Sequence, residues 1–291
     1  MDLYHYCSNE IFHSIISSRE VRLSSLTLSN DYTEGGVAKS VFLSLIDEKD
    51  WEPHEQRVLQ EIVEDVNKLT EGLGFCLSRK EDLLSQWRGY ADDGKGVSIG
   101  FSREYFELLA QKQEGSDEDR NFEVKDIEYD IDKQKEMLMS LYQAIYQAKS
   151  DGKLDGLRYV NARFLISPRG VDREEKQVAY NKAFFRLYIT LLPLFEQLYS
   201  MKSPAFAEEQ EVRLVTMLDK SNIKPGSCSF HSSVDSIKPY RAYQLEVMDM
   251  EPIVSVTLGP KNKTPIYIIE SFLKQNGYEG VTVKKSKIPY S

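Results

Sequence analysis

The chain has 291 residues, of which 41% are hydrophobic, 11% aromatic and 29% charged. These proportions exclude a collagen, a disordered tail protein and a coiled-coil rod, and a chain of this length can bury a core without disulfides or metals. Asp plus Glu outnumber Lys plus Arg by 46 to 37, and the resulting net charge of -9 argues against general binding to duplex nucleic acid or to an anionic membrane.

The cysteines and the lack of long apolar segments predict a cytoplasmic protein. Cys7, Cys76 and Cys228 are far apart and form no CxxC or CxxH pair, so we expect reduced, buried thiols. The N-terminal residues contain no apolar signal segment. The longest apolar window, residues 187–194, is too short to cross a membrane.

The first 130 residues predict short strands that alternate with helices. Residues 2–6 have the pattern of a strand, and Ser8 caps a helix over residues 8–17. A polar loop follows at residues 30–36. The other elements predicted here are a strand over 21–23, a helix over about 51–70, a strand over 74–78, a helix over 80–90, a strand over 96–101 and a helix capped by Ser102.

Residues 131–202 differ from the rest because helical periodicity dominates there. We predict an inserted helical region that packs on an α/β core made of residues 1–130 and 203–291, and that could present an interface to a partner protein. Strand patterns return at 211–218, 228–231, 241–247, 253–258 and 280–284, with a helix over 265–276. The predicted fold class is α+β, with a mixed or antiparallel sheet in the core.

The first predicted strand contains a histidine, His5, between two tyrosines, of which Tyr6 is the second. Two interpretations are open: a buried histidine bonded to a main-chain carbonyl, or a group that binds a ligand. The chain has four histidines, and their spacing fits no zinc motif, so we expect no metal site of that kind.

Acidic residues precede the strand predicted at 211–218. Residues two apart share one face of a strand, so Glu209 and Glu211 are expected to project together, with Arg213 on the same side. Such a pair can raise the pKa of a carboxylate or stabilise positive charge on a sugar. A solvated strand edge is the other interpretation.

Two further segments contain polar groups that could line a site. The loop with Asn30, Asp31 and Glu34 has two interpretations. Its Asn and Asp residues can simply form the turn, or the loop can lie at the rim of a cleft with Glu34 facing inward. The segment 258–261, LGPK, has the pattern of a glycine turn at a strand end but lacks any P-loop or dinucleotide fingerprint.

The helix predicted over 80–90 carries polar and aromatic groups next to the end of a strand. Ser78 ends that strand, and Trp87, Arg88 and Tyr90 follow on the helix. Trp87 and Tyr90 can be core residues, or Tyr90 can contribute to a site.

The order of these motifs along the chain resembles a known family. The segments LYHYCS, LSNDYTE, GFCLS, SQWRGYADDGKGVSIGF, FAEEQEVRLV, VTLGP and SKIPY follow one another as in the bacterial family called domain of unknown function 2971. A more distant likeness is to ADP-ribosyltransferases, which combine a first-strand His or Arg, a middle Ser or Tyr, and a Glu in an E-x-E context.

The second resemblance implies an ADP-ribosyltransferase-like arrangement of the sheet and an enzyme that uses NAD as a substrate, acting as a toxin or in phage defence. It implies that His5 anchors NAD, that Tyr90 or Ser78 is the middle element, and that Glu211 is the catalytic carboxylate beside Glu209. The chemistry suits these residues, because a carboxylate stabilises the oxocarbenium-like state formed when nicotinamide leaves. The candidates for binding NAD, its pyrophosphate included, are His5, Tyr6, Asn30, Glu34, Ser78, Arg88 and Tyr90, with Arg22 and Arg79 as further cations.

Two other functions fit the same residues. A metal-dependent nuclease or phosphodiesterase could gather Asp31, Glu34, Glu209 and Glu211 around Mg²⁺, with His5 as general base, although no nuclease motif such as a spaced D-E-x-K is present. A sensor without enzymatic activity could use the helical region to bind a partner. Metal dependence would favour the nuclease, and NAD turnover without metal would favour the transferase.

Overall fold

The computed structural model describes residues 1–28, 35–46, 50–113, 121–163, 171–233, 235–245 and 250–290. The chain divides into two compact units: Met1–Asn30, Glu71–Ile127 and Ala205–Ser291 form unit 1, and Asp31–Thr70 and Glu128–Pro204 form unit 2. Among the described residues, no helix has the length and apolar character needed to cross a membrane.

Ten strands, counted over the described residues, form one sheet in the order β10-β9-β4-β1-β3-β2-β8-β7, with β6 beside β3 and β5 beside β6. The pair β9–β10 is parallel, and the pairs β1–β3, β1–β4, β2–β3, β2–β8, β4–β9, β5–β6 and β7–β8 are antiparallel. This confirms the α+β class with a mixed, mostly antiparallel sheet. The strands are β1 (Asp2–Cys7), β2 (Glu20–Ser25), β3 (Thr70–Ser78), β4 (Val97–Ser102), β5 (Glu123–Asp126), β6 (Glu211–Asp219), β7 (Ser229–Ser232), β8 (Ile237–Gln244), β9 (Ile253–Leu258) and β10 (Thr282–Lys285).

Two helices, α1 and α5, begin where a capping serine predicts a helix start. Ser8 accepts a hydrogen bond from the Ile11 N–H, and Ser102 accepts one from the Tyr105 N–H, so both predicted caps are confirmed. The α-helices are α1 (Asn9–Ser18), α2 (Gly36–Leu45), α3 (Pro53–Leu69), α4 (Leu84–Tyr90), α5 (Arg103–Gln113), α6 (Ile131–Ser150), α7 (Val171–Gln197) and α8 (Ile266–Gln275), and 3-10 helices cover Asp155–Arg163 and Pro204–Glu209.

Unit 2 contains α2, α3, α6 and α7, which pack on one another. Lys149 of α6 forms an ion pair with Glu55 of α3, and its ammonium lies 4.8 Å from the centroid of the Trp51 ring. The apolar faces of α2 and α3 thus find their partners among the helices, which is why residues 31–70 group with the helical segment rather than with the strands.

Side chains of β1 alternate between the two sides of the sheet in unit 1. Leu3 and Cys7 enter the main hydrophobic core. Tyr6 points the other way, into a smaller cluster with Trp87 and Ala91 of the α4 region. We call these two sides the core face and the α4 face. The cysteine prediction was only partly correct, because Cys7 is buried but Cys76 is exposed.

Candidate functional site

Three residues that are distant in the sequence meet on the α4 face. Ser78, at the end of β3, is buried, and its hydroxyl donates a 2.6 Å hydrogen bond to the main-chain oxygen of Glu209. The Tyr90 hydroxyl, at the end of α4, lies 3.3 Å from Oε1 of Glu209 and donates to it. The Tyr90 side chain is 42% exposed, so its ring offers a flat surface beside a buried carboxylate.

Gln210, which lies between the two glutamates of the E-x-E segment, has an unusual backbone conformation. Its φ is 44°, in the left-handed region that side chains other than Gly, Asn and Asp rarely adopt. Glu209 ends a 3-10 helix and Glu211 begins β6, so the strand geometry from which we expected the two side chains to project together does not extend to Glu209. The Arg79 N–H donates to the Gln210 carbonyl at 3.1 Å and ties this turn to the end of β3. Strained residues of this kind are frequent at functional sites.

Glu211 and Arg213 form a buried ion pair. Nε and Nη2 of Arg213 donate to the two carboxylate oxygens of Glu211 at 2.6 and 2.9 Å. Arg213 is completely buried, and Glu209 and Glu211 are each 7% exposed. Val212 and Leu214 belong to the main core, so Glu211 and Arg213 share the opposite face of β6, as predicted. We call Ser78, Tyr90, Glu209, Glu211 and Arg213 the carboxylate corner.

Tyr6 holds the segment that leads into α4. Its hydroxyl donates to the Lys80 carbonyl at 2.7 Å and accepts from the Leu83 N–H at 3.0 Å, and its ring packs edge-on against Trp87. Burial raises the pKa of the Tyr6 hydroxyl well above its usual value. The Trp87 indole donates to Asp82 at 2.7 Å. Tyr6 therefore fixes the helix that carries Tyr90.

His5 lies away from the carboxylate corner, on the core face of β1. Its ring stacks on Phe75 with 4.1 Å between ring centroids, and Nδ1 donates to the Cys76 carbonyl at 2.9 Å. Burial lowers the pKa of His5 to about 4 against the opposing effect of that hydrogen bond, so the ring is neutral at pH 7. The first of the two interpretations, a histidine bonded to a main-chain carbonyl, describes its contacts.

The candidate cations differ in their partners. Arg22 pairs with Glu20 at 2.7 Å, and Arg79 pairs with Asp126 at 2.5 Å. Arg88 lies exposed in the last turn of α4, two residues before Tyr90, and no side-chain partner is found for it among the described residues. Of the three candidate arginines, Arg88 is therefore the one without a side-chain partner in the described part of the chain; it lies two residues before Tyr90, so the two side chains leave α4 in different directions.

Three of the predicted site residues, Asn30, Asp31 and Glu34, lie outside the described residues. Within the described part of the chain, no group of three or more His, Cys, Asp or Glu side chains is arranged to hold a metal ion. The proposed magnesium cluster includes Asp31 and Glu34, so it stays a prediction.

Sequence patterns did not single out Gln86. This residue is only 8% exposed, and its amide has no protein partner in the part of the chain that the structure describes. It lies four residues before Tyr90, on the same face of α4. The sequence contained one indication of this role: Gln86 is four residues from Tyr90, in a helix that was predicted to contribute to a site.

Comparison with known proteins supports the family resemblance for part of the chain. Residues 86–214 match the model of a family described as "Protein of unknown function (DUF2971)". The matched segment contains Tyr90, Glu209, Glu211 and Arg213, whereas His5 and Ser78 lie before it. The chain has no match among curated proteins or solved structures.

Proposed function

We propose that the protein is an enzyme that cleaves the bond between nicotinamide and ribose in NAD, and that the carboxylate corner is its active site. The observation that carries this proposal is the contact between Tyr90 and Glu209: a half-exposed aromatic ring whose hydroxyl bonds to a nearly buried carboxylate. A planar nicotinamide or adenine can stack on such a ring while the attached ribose lies beside the carboxylate.

The reaction requires stabilisation of positive charge. When the bond between ribose C1′ and nicotinamide N1 breaks, its electron pair stays on nicotinamide, and the ribose becomes an oxocarbenium-like cation. A carboxylate held close to that cation lowers the barrier, because it gains more interaction in the transition state than in the bound substrate. The ADP-ribosyl group then passes to an acceptor or to water.

We assign the two glutamates different parts in this reaction. Glu209 contacts the Tyr90 hydroxyl and therefore lies next to the surface on which the ligand stacks. Glu211 is turned toward Arg213 by two hydrogen bonds and acts as a positioning residue at the start of β6. The resemblance alone had indicated Glu211 as the catalytic carboxylate. His5 has no direct part, because its ring stacks on Phe75 on the core face.

The remaining groups bind the substrate. Arg88 supplies a cation for the pyrophosphate, and the Gln86 amide can pair with the carboxamide of nicotinamide. Gln86 lies on the same face of α4 as Tyr90, four residues before it, whereas Arg88 extends from a different side of the helix.

The test is release of nicotinamide from NAD, with NAD binding followed by calorimetry. Glu209→Gln keeps the shape but removes the charge, so it should slow release by about two to three orders of magnitude and leave binding nearly intact. Glu208→Gln is the matched control, since Glu208 is the adjacent residue but is exposed. Glu211→Gln should lower both release and stability.

Two results would overturn the proposal: no NAD binding by the wild-type protein, or release by Glu209→Gln at the wild-type rate. EDTA should leave the rate unchanged. Cleavage of a nucleic acid that requires a divalent cation would instead favour the metal-dependent nuclease.

A further inference from the structure

A second concave surface lies in unit 1, outside the carboxylate corner. A cavity of about 770 Å³ opens beside the start of α1, the turn after α4 and the segment that follows β9. Its volume is within the range of sites for small molecules. Its wall includes Asn9, Lys95, Lys261, Asn262, Lys263 and Tyr290.

The wall of this cavity is cationic. Lys95, Lys261 and Lys263 line it, and none of the lining residues is an Asp or a Glu. The chain as a whole has a net charge of -9. Three lysines around one cavity outnumber the neighbouring Asp93 carboxylate, which pairs with Lys261, so the local charge is opposite in sign to that of the protein as a whole and favours an anionic ligand.

Two turns hold the backbone of this site through close contacts between glycines. The Gly259 N–H donates to the Gly96 carbonyl at 3.0 Å, and the Lys261 N–H donates to the Gly94 carbonyl at 2.9 Å. A Cβ atom at Gly259 would lie 2.3 Å from the Gly94 oxygen, so only glycine allows this approach. The LGPK segment thus docks on the turn after α4 and brings two of the lysine-bearing segments together.

Asn262 joins the same segments from inside. Its side chain is 7% exposed, and Nδ2 lies 2.8 Å from the Lys95 carbonyl and 3.0 Å from the Gly96 carbonyl. Nδ2 also donates to Oδ1 of Asn9 at 3.0 Å, and Oδ1 of Asn262 accepts from the Thr264 N–H at 2.9 Å. All the polar atoms of this amide are used, so the wall of the cavity is preorganised.

The three lysines are not equivalent. Lys261 pairs with Asp93 at 2.9 Å, and its ammonium lies 3.9 Å from the centroid of the Tyr290 ring. Lys95 and Lys263 are exposed and form no side-chain hydrogen bond or ion pair among the described residues, although the charge of Lys95 adds to the effects of Tyr290 and Lys261 that lower the pKa of the Asp93 carboxyl. Lys261 is therefore held in place, while the charges of Lys95 and Lys263 are available to a ligand.

We propose that this cavity binds a small phosphorylated ligand, with Lys95 and Lys263 as its main charge contacts and Lys261 as a fixed cation behind them. A diphosphate matches the site because its multiple negative charges can engage separate lysines at once. The proposal concerns a site other than the carboxylate corner and does not depend on NAD cleavage.

The test is calorimetric titration of the full chain with inorganic pyrophosphate at low salt. The wild-type protein should bind it, and affinity should fall as salt is raised, because the contacts are ionic. Lys95→Gln and Lys263→Gln should each weaken binding about tenfold, and the double variant about a hundredfold. Lys224→Gln, an exposed lysine elsewhere in unit 1, is the control and should bind as the wild type does.

Absence of pyrophosphate binding by the wild-type protein would overturn the proposal. Equal weakening by Lys224→Gln would also overturn it, since it would show that pyrophosphate responds only to total charge. Both site lysines are exposed, so the variants should keep the wild-type unfolding temperature, and the single variants suffice if the double variant does not fold. Wild-type activity at the carboxylate corner in a variant that has lost pyrophosphate binding would show that the two sites are separate.

Discussion

Ser78 Oγ donates a 2.6 Å hydrogen bond to the main-chain oxygen of Glu209, a residue 131 positions farther along the chain. The same hydroxyl accepts from the Lys80 N–H at 3.0 Å. One side chain at the end of β3 thus holds both the 3-10 helix that ends at Glu209 and the segment that leads into α4. Ser78 therefore positions both Glu209 and the helix that carries Tyr90.

Replacement of Ser78 by Ala should therefore destabilise the protein. It leaves a buried carbonyl and an N–H without their partner, at a cost of about 1–3 kcal/mol in the free energy of unfolding. Urea denaturation measures this. Ser40→Ala, at an exposed position of α2, should change stability by less than about 0.5 kcal/mol. Equal effects of the two substitutions would contradict the structural part assigned to Ser78.

His5 should make stability depend on pH in acid. Its pKa is lowered from 6.5 to about 4 in the folded protein, so below pH 6.5 the unfolded chain takes up a proton that the folded chain does not. Stability from this group is complete above pH 6.5 and is lost as the pH falls toward 4, by at most about 1.4 kcal/mol per pH unit.

The comparison for this prediction is His5→Gln, which keeps a donor for the Cys76 carbonyl but does not titrate. Urea unfolding of both proteins from pH 7.5 to 4 should show a shallower loss of stability for the variant. Parallel pH profiles would show that His5 titrates normally.

The Glu211–Arg213 pair should show strong coupling in a double-mutant cycle. Arg213→Met leaves the nearly buried Glu211 carboxylate without its bidentate partner, which should cost about 3–5 kcal/mol. Glu211→Gln combined with Arg213→Met should cost less than the sum of the two single changes. Additive free energies of unfolding would mean that the two side chains do not stabilise each other.

Gly259→Ala should destabilise unit 1 because its Cβ would meet the Gly94 carbonyl oxygen at 2.3 Å. Backbone rearrangement of this kind costs about 1–3 kcal/mol. Gly89→Ala is the control and should not lower stability, since a Cβ there meets nothing within 4 Å and alanine favours the helix α4. Thermal unfolding should place the Gly259 variant below the wild type and the Gly89 variant at or above it. A Gly259 variant as stable as the wild type would show that the two turns can separate at little cost.

Local sequence patterns predicted much of the fold. The Ser8 and Ser102 caps, the period of two that places Glu211 with Arg213, and the helical periodicity of residues 131–150 are short-range features, and each is found in the structure. The sequence did not predict that residues 31–70 group with the helical segment. The pattern of an amphipathic helix such as α3 shows that the helix has an apolar face, but it does not show which element covers that face.

Local sequence patterns predicted less of the candidate site. No propensity indicates that Gln210 adopts a left-handed conformation, since glutamine has no special preference for it. This residue lies between Glu209, at the end of a 3-10 helix, and Glu211, at the start of β6. The face on which His5 lies depends on its stacking with Phe75, a contact between two strands. The docking of Gly259 on Gly94 likewise depends on two segments that are distant in sequence.

The pairing of β2 with β8 has a consequence for how the protein is made. Glu20 lies opposite Gln244 in this ladder, 224 residues later, and the whole helical unit is encoded between them. At typical rates of translation, roughly 11–45 s pass before a ribosome that has completed β2 produces its partner. During that interval one edge of β2 has no neighbour, so we expect ribosome-bound intermediates to need chaperones. Nascent chains arrested before residue 237 should be more sensitive to protease in β2 than those arrested with β8 outside the ribosome; equal sensitivity would contradict this expectation.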